Sequence, residues 1–168
     1  VTVTVLFGIR KVWHLSICSL ISDCCRHKGV FIDMSTLNLT LLTDLYELTM
    51  MQGYYESNSS ETVIFDAFYR KNPCDNGYAI SAGLDQVIDY INNLHFSEED
   101  ISYLASLGIF HEGFLNYLRN FHFEGDIWAI PEGSVVFPYE PLLKVIAPIM
   151  QAQLVETAIL NIINHQSL

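Results

Sequence analysis

The run ETVIFDAFYRKNP, residues 61–73, stands between helical patterns on both sides and constrains the fold more than any other stretch. Its β-branched and aromatic residues predict a strand over 62–70, and Asn72-Pro73 with Asp75-Asn76-Gly77 is turn chemistry. Before it, residues 43–52 predict a helix that Asp44 can cap, with Glu47 as the capping-box partner and Gly53 as its end. After it, GLDQVIDYINNL places Leu84, Val87, Ile88 and Ile91 on one helical face. Ser97 predicts the cap of the next helix, with Asp100 completing its box, Phe96 stapling onto Ile101 and Gly108 closing it. EGFLNYLRNF predicts a short third helix of that region. Two strand runs follow, GDIWAIPEG and SVVFPYEPLLKVIAP, broken by Pro131-Glu132-Gly133 and by Tyr139-Glu140-Pro141. Strands and helices that do not alternate strictly suggest an α+β unit.

The 168 residues are enough for one domain with its own core, and 51% hydrophobic against 16% charged residues excludes a disordered chain. A formal net charge of −11 disfavours non-specific binding to nucleic acid or to an anionic membrane. It leaves room for a phosphate-bearing small molecule, because a local site can be basic on an acidic protein. From Ser35 onward the only bases are Arg70, Lys71, Arg119 and Lys144. The cysteines are Cys18, Cys24, Cys25 and Cys74, with no CxxC pair and no zinc spacing, which predicts a reducing, cytoplasmic setting. His95, His111, His122 and His165 are scattered, and only His122 with Glu124 makes a weak pair, so no metal site is expected.

The two ends differ from the middle. Residues 1–33 lack an initial Met, are basic where the rest is acidic, and hold three of the four cysteines. They make a poor signal peptide, and Arg10 and Lys11 interrupt any membrane span. They read as upstream-translated sequence ahead of Met34, the alternative being a genuine extension strand. Near the other end, Leu154, Ala158 and Ile162 with Val155, Ile159 and Ile163 form an apolar helical face, with no stop signal behind it. The chain reads as cut there. A face left without its partners predicts poor solubility for these residues on their own.

Two places suggest chemistry. Asp44 is read most simply as a helix cap and Tyr46 as half-buried packing, but a ring near a helix N-terminus can also stack on a flat heteroaromatic ligand. Arg70 and Lys71 end a strand, where loops carry sites. Arginine forks onto phosphate oxygens and lysine adds a mobile point charge, while the plain alternative is a solvated pair. No GxGxxG, Walker, GxSxG or HExxH motif is present. Residue-level reasoning stops at a cytoplasmic α+β domain with a site for a small anionic ligand.

Five stretches go further: LLTDLYELTMMQGYYE, FDAFYRKNP, GYAISAGLDQVIDYI, FEGDIWAIPEGSVVFPYEPLLKV and AQLVETAILNIINHQSL. Together, and in order from residue 41 to 168, they resemble the N-terminal part of the nicotinate phosphoribosyltransferase family. The resemblance implies a type II phosphoribosyltransferase fold, with an α+β N-terminal domain over residues 34–147 and the incomplete start of an irregular α/β barrel over 148–168. It implies NAD salvage: nicotinate and phosphoribosyl pyrophosphate give nicotinate mononucleotide and pyrophosphate, coupled to ATP hydrolysis with Mg2+. It implies a homodimer with active sites between subunits. Tyr46 matches the family tyrosine that stacks on the pyridine ring of the neighbouring subunit's site, and Asp44 matches the acidic position beside it. Arg70 matches an arginine that contacts phosphoribosyl pyrophosphate, again across the dimer, and Lys71 is a weaker match. Glu132-Gly133 is expected to form a turn and Glu156-Thr157 to be a barrel-helix feature. Cys74-Asp75-Asn76-Gly77 departs from the family pattern of Phe and glycines after the Asn-Pro turn. The family's phosphorylated histidine, phosphate loops and metal ligands have no counterpart here, so no catalytic residue is expected in this chain and an isolated fragment is expected to be inactive. Two alternatives remain: a non-catalytic short product that dimerises or binds ligand, and a nicotinamide-using or quinolinate-using relative.

Overall fold

The computed structural model of the chain describes residues 38–72 and 76–167 and the backbone of 4–8. In chain order its elements are β1 (Thr4–Gly8), α1 (Leu45–Glu56), β2 (Thr62–Phe68), β3 (Ala79–Ile80), α2 (Leu84–Asn92), α3 (Glu98–Ser106), α4 (Glu112–Arg119), β4 (Asp126–Ala129), β5 (Val135–Val136), β6 (Leu143–Pro148) and α5 (Ile149–Gln166). This is the mixed, non-alternating α+β arrangement that the pattern predicts. Cys18, Cys24, Cys25 and Cys74 lie outside the described residues.

Four strands form one sheet in the order β1-β2-β6-β4. β6 pairs antiparallel with β2, from Thr62 opposite Pro148 to Ala67 opposite Leu143. β4 pairs antiparallel with β6, and β1 lies parallel to β2 with Thr4 opposite Ile64. A separate two-stranded ribbon sets Ala79 opposite Val136. The two-residue period of a strand sends Val63, Phe65 and Ala67 of β2, with Leu143, Val145 and Ala147 of β6, into the core.

Helix α5 covers that face. Leu154, Val155, Ala158, Ile159, Ile162 and Ile163 are all buried, between 0% and 6% exposed. The apolar face expected to lack partners therefore finds them within the chain, in the β2–β6 sheet and in α1 and α2. Each of the Leu, Val and Ile side chains contributes roughly 1.5–3 kcal/mol on burial, before the entropy of ordering it. No loop separates strand from helix, since Pro148 ends β6 and also caps α5.

Helix ends explain where the local reading needs correction. Gly53 does not end α1, which runs on to Glu56. The stop is a Schellman arrangement: Asn58 takes the left-handed φ of 55°, its N–H donates to the Tyr55 carbonyl at 3.1 Å, and the Ser59 N–H donates to the Tyr54 carbonyl at 2.9 Å. In α2, Ile88 points outward at 45% exposure and Tyr90 is buried in its place. β2 stops at Phe68, short of 70, because the Tyr69 carbonyl accepts the Tyr139 N–H at 2.8 Å instead of continuing the ladder. Helix α3 follows expectation, with the Asp100 N–H donating to Ser97 Oγ at 3.2 Å and the Ser97 N–H to Asp100 Oδ2 at 2.8 Å.

Glu132 does more than shape a turn. Its Oε1 accepts the Gly83 N–H at 2.5 Å and the Leu84 N–H at 2.7 Å, closing the N-terminus of α2. Gly83 sits at φ 99°, and a Cβ there would meet the Gln166 side chain at 3.2 Å, so the tight approach of α2 to the end of α5 needs a glycine. Among the described residues no helix is long and apolar enough to cross a membrane.

Candidate substrate-binding site

The site is built on the start of α1. Asp44 holds the N-cap in an extended conformation, φ −81° and ψ 144°. Its N–H donates to Glu47 Oε2 at 3.1 Å, and the Glu47 N–H returns to the Asp44 carbonyl at 3.0 Å. The Thr43 hydroxyl also donates to Glu47 Oε2, and the Thr157 hydroxyl of α5 donates to Glu47 Oε1 at 2.9 Å. Glu47 is fully buried, at 0% exposure. Asp44 is exposed, and the Tyr46 ring stands half out of the surface at 50%.

The electrostatics follow from burial without counter-charge. Desolvation raises the Glu47 carboxyl above its ordinary value and outweighs the hydrogen bonds from Thr43, Thr157 and Asp44. Glu156, the residue before Thr157 on α5, is pushed up to about 7 by desolvation first and then by Glu47, against a hydrogen bond from Gln153 at 2.9 Å. Desolvation, then Glu156, Glu47 and Asp44, raise the Tyr46 phenol to about 12, so it stays neutral and keeps its proton to donate. None of the described salt bridges includes Asp44, Glu47 or Glu156. Beside Glu156, Phe65, Ala67, Leu143 and Val145 line an apolar cavity of about 20 Å³. That is room for about one water and far too little for a pyridine ring.

The basic pair lies at the end of β2. Arg70 and Lys71 are exposed there. The neighbouring turn carries Tyr139 at φ 69°, its ring 5.9 Å from Phe68, and the Phe137 N–H donates to Glu140 Oε2 at 2.8 Å. Arg119 pairs with Glu112 at 3.2 Å and Glu98 at 3.6 Å, and Lys144 with Asp66 at 3.5 Å. Arg70 enters none of the described ion pairs.

Thus Tyr46 and Asp44 share one cluster with Glu47 and Glu156, while Arg70 and Lys71 sit beside the Tyr139 turn. No described hydrogen bond or ion pair joins the two groups. His122 does pair with Glu124, at 2.7 Å on the open surface. Among the described residues no three His, Cys, Asp or Glu side chains are grouped to hold a metal. Local reasoning assigned Glu47 only a capping role; its bond to Thr157 spans 110 residues, and no short-range pattern carries that contact.

Fold and site define an α+β domain that presents a half-exposed aromatic ring on a held helix start and, at the end of β2, a guanidinium that enters none of the described ion pairs. The family model of the nicotinate phosphoribosyltransferase (NAPRTase) N-terminal domain matches residues 41–164. A nicotinate phosphoribosyltransferase of Mycobacterium tuberculosis is 48% identical over 127 residues, covering 76% of this chain and 27% of the relative. One from Bacillus subtilis is 44% identical over 132 residues, covering 78% and 27%. The crystal structure of human nicotinic acid phosphoribosyltransferase superposes with a TM-score of 0.66 at 33% identity, over 72% of this chain and 25% of that one. The chain belongs to the nicotinate phosphoribosyltransferase family and carries its N-terminal domain. It spans about a quarter of the length of the relatives it matches.

Proposed function

We propose that the chain is the N-terminal part of an enzyme of NAD salvage that joins nicotinate to phosphoribosyl pyrophosphate. In that reaction the pyridine nitrogen bonds to C1 of the ribose as the bond to pyrophosphate breaks, and pyrophosphate leaves with the electron pair. Tyr46 offers its exposed ring face to the pyridine, with Asp44 beside it, and Arg70 its guanidinium to the phosphoribosyl pyrophosphate, with Lys71 as a second positive charge. Both groups act across a homodimer in this reading, each subunit lending its Tyr46 and Arg70 to its partner's site. ATP and Mg2+ belong to the coupled reaction, and the described residues provide no cage for the metal. The setting is cytoplasmic.

The observation that carries this reading is the Tyr46 ring, half exposed on a helix start whose backbone is clamped. Replacing Tyr46 with Ala in a complete enzyme carrying this segment is expected to raise KM for nicotinate roughly tenfold or more, by loss of stacking. Unaltered nicotinate kinetics would remove Tyr46 from the site.

One observation favours a second reading, a short non-catalytic product that binds or dimerises. The apolar face of α5 is covered within the chain, so these residues bury their own core. A cooperative melt of the isolated chain, with no turnover, supports it; an aggregated or unfolded chain counts against it.

A further inference from the structure

Tyr46 is on the first turn of α1, and the conformation of that turn is set by the residue beside it. Every oxygen of the Glu47 carboxyl is engaged: Oε2 by the Asp44 N–H and the Thr43 hydroxyl, Oε1 by the Thr157 hydroxyl. The first two bonds fix the chain entering the helix, and the third ties it to α5, which is packed onto the sheet. A fully buried carboxyl without a basic partner is a costly way to cap a helix, since an exposed Ser or Asn does so without desolvating a charge. Its cost is explained by what the third bond adds: a connection between the Tyr46 turn and the rigid sheet.

We infer that Glu47, acting through Thr157, is a positioning residue that holds the Tyr46 ring at the angle needed to stack on a flat heteroaromatic substrate. The inference rests on the reading of Tyr46 as the stacking ring. The charged and titratable groups facing Glu47 are Asp44 and Tyr46 on its own segment, Glu156 on α5, and Tyr90 on α2, whose phenol is raised by burial and then by Glu47. All are acidic, so proton uptake by the cluster relieves repulsion. The two threonine hydroxyls can reverse from donating to accepting, so the geometry does not depend on the charge of Glu47.

That property sets the test, in a complete enzyme carrying this segment. Glu47→Gln can keep all three bonds, its carbonyl oxygen facing Asp44 and its amide facing Thr157. Glu47→Leu loses all three, and Thr157→Val loses only the tie to α5. Expected is a rise in KM for nicotinate of roughly three- to tenfold in Thr157→Val and at least as much in Glu47→Leu, with KM for phosphoribosyl pyrophosphate little changed. Thr157→Ser and Glu47→Gln are expected to stay within about twofold of the parent. A purely structural role would lower the melting temperature of Thr157→Val and leave nicotinate KM where it was, and that result overturns the inference. Should Glu47→Leu fail to fold, Thr157→Val and its Ser rescue decide. Tyr46→Ala separates the two failures. If it leaves nicotinate KM unchanged, the stacking reading falls; if it raises KM while Thr157→Val does not, only the positioning inference falls.

Discussion

Asp66 and Lys144 face each other across the paired strands β2 and β6, carboxylate oxygen and ammonium nitrogen 3.5 Å apart. Asp66 is 8% exposed, and its Oδ1 makes no aligned hydrogen bond, so Lys144 is its main compensation. Lys144→Met leaves that carboxylate buried and unpaired. The expected loss is about 1–2 kcal/mol, below the range for fully buried pairs because the lysine side chain is 40% exposed. Chemical denaturation of the parent and variant measures it, and equal stability would show that water already solvates Asp66.

Gly125 precedes β4 where the chain presses against β6. A Cβ there would meet Ala147 Cβ at 2.4 Å and the Ile146 carbonyl oxygen at 2.8 Å. Backbone cannot give way as a side-chain tip can. Gly125→Ala is expected to cost about 2–3 kcal/mol, read as a lower denaturation midpoint with unchanged slope.

Asn58 is expected to distinguish its two smallest replacements. At φ 55°, Asn58→Ala removes the short polar side chain that makes the left-handed region tolerable for asparagine and should cost about 1 kcal/mol, while Asn58→Gly should be neutral or slightly stabilising. Thermal melts of the two variants check the order, and a reversed order would place the end of α1 elsewhere.

The carboxyl cluster makes stability fall with pH. Glu156 ionises near 7 in the folded chain against 4.5 as the ordinary value. The folded state therefore binds more protons between those values, and its stability is full below about 4.5 and is lost as pH rises through 7. Glu47 and His122, both raised, act in the same direction. The melting temperature is expected to be higher at about pH 5.5 than at about pH 8, with Glu156→Gln narrowing the difference. A melting temperature that rises over that interval would contradict the assignment.

Arg70 predicts a kinetic split. In a complete enzyme, Arg70→Ala should raise KM for phosphoribosyl pyrophosphate by roughly tenfold or more and leave KM for nicotinate near the parent value. An unaltered phosphoribosyl pyrophosphate requirement would return Arg70 to the solvated surface.

The parts that local chemistry dictates were legible in the sequence. Ser97-Asp100, the Pro-broken strands and the α5 stripe depend on residues within a turn or two of one another, and they fold as read. Gly53 misleads because glycine permits a helix stop without forcing one, and Asn58 supplies the left-handed residue five positions on. Ile88 misleads because an ideal stripe ignores Tyr90, whose ring packs inward as α2 lies on α5. At the candidate site, the Tyr46 and Arg70 positions came from family resemblance, while the Glu47–Thr157 bond and the Asp66–Lys144 pair are products of long-range packing. Glu132 shows the same limit: the turn was visible, but its contact with α2 was not.

The Glu132 carboxylate on the first amides of α2 has a consequence for anion recognition. Exposed amides at a helix start are the usual seat for a phosphate, needing no side chain to attract one. Here the protein has already filled that seat with a negative charge of its own. An anion approaching the start of α2 meets a carboxylate already seated on the Gly83 and Leu84 amides. The first amides of α2 are thereby closed to an outside anion, whatever the domain binds elsewhere.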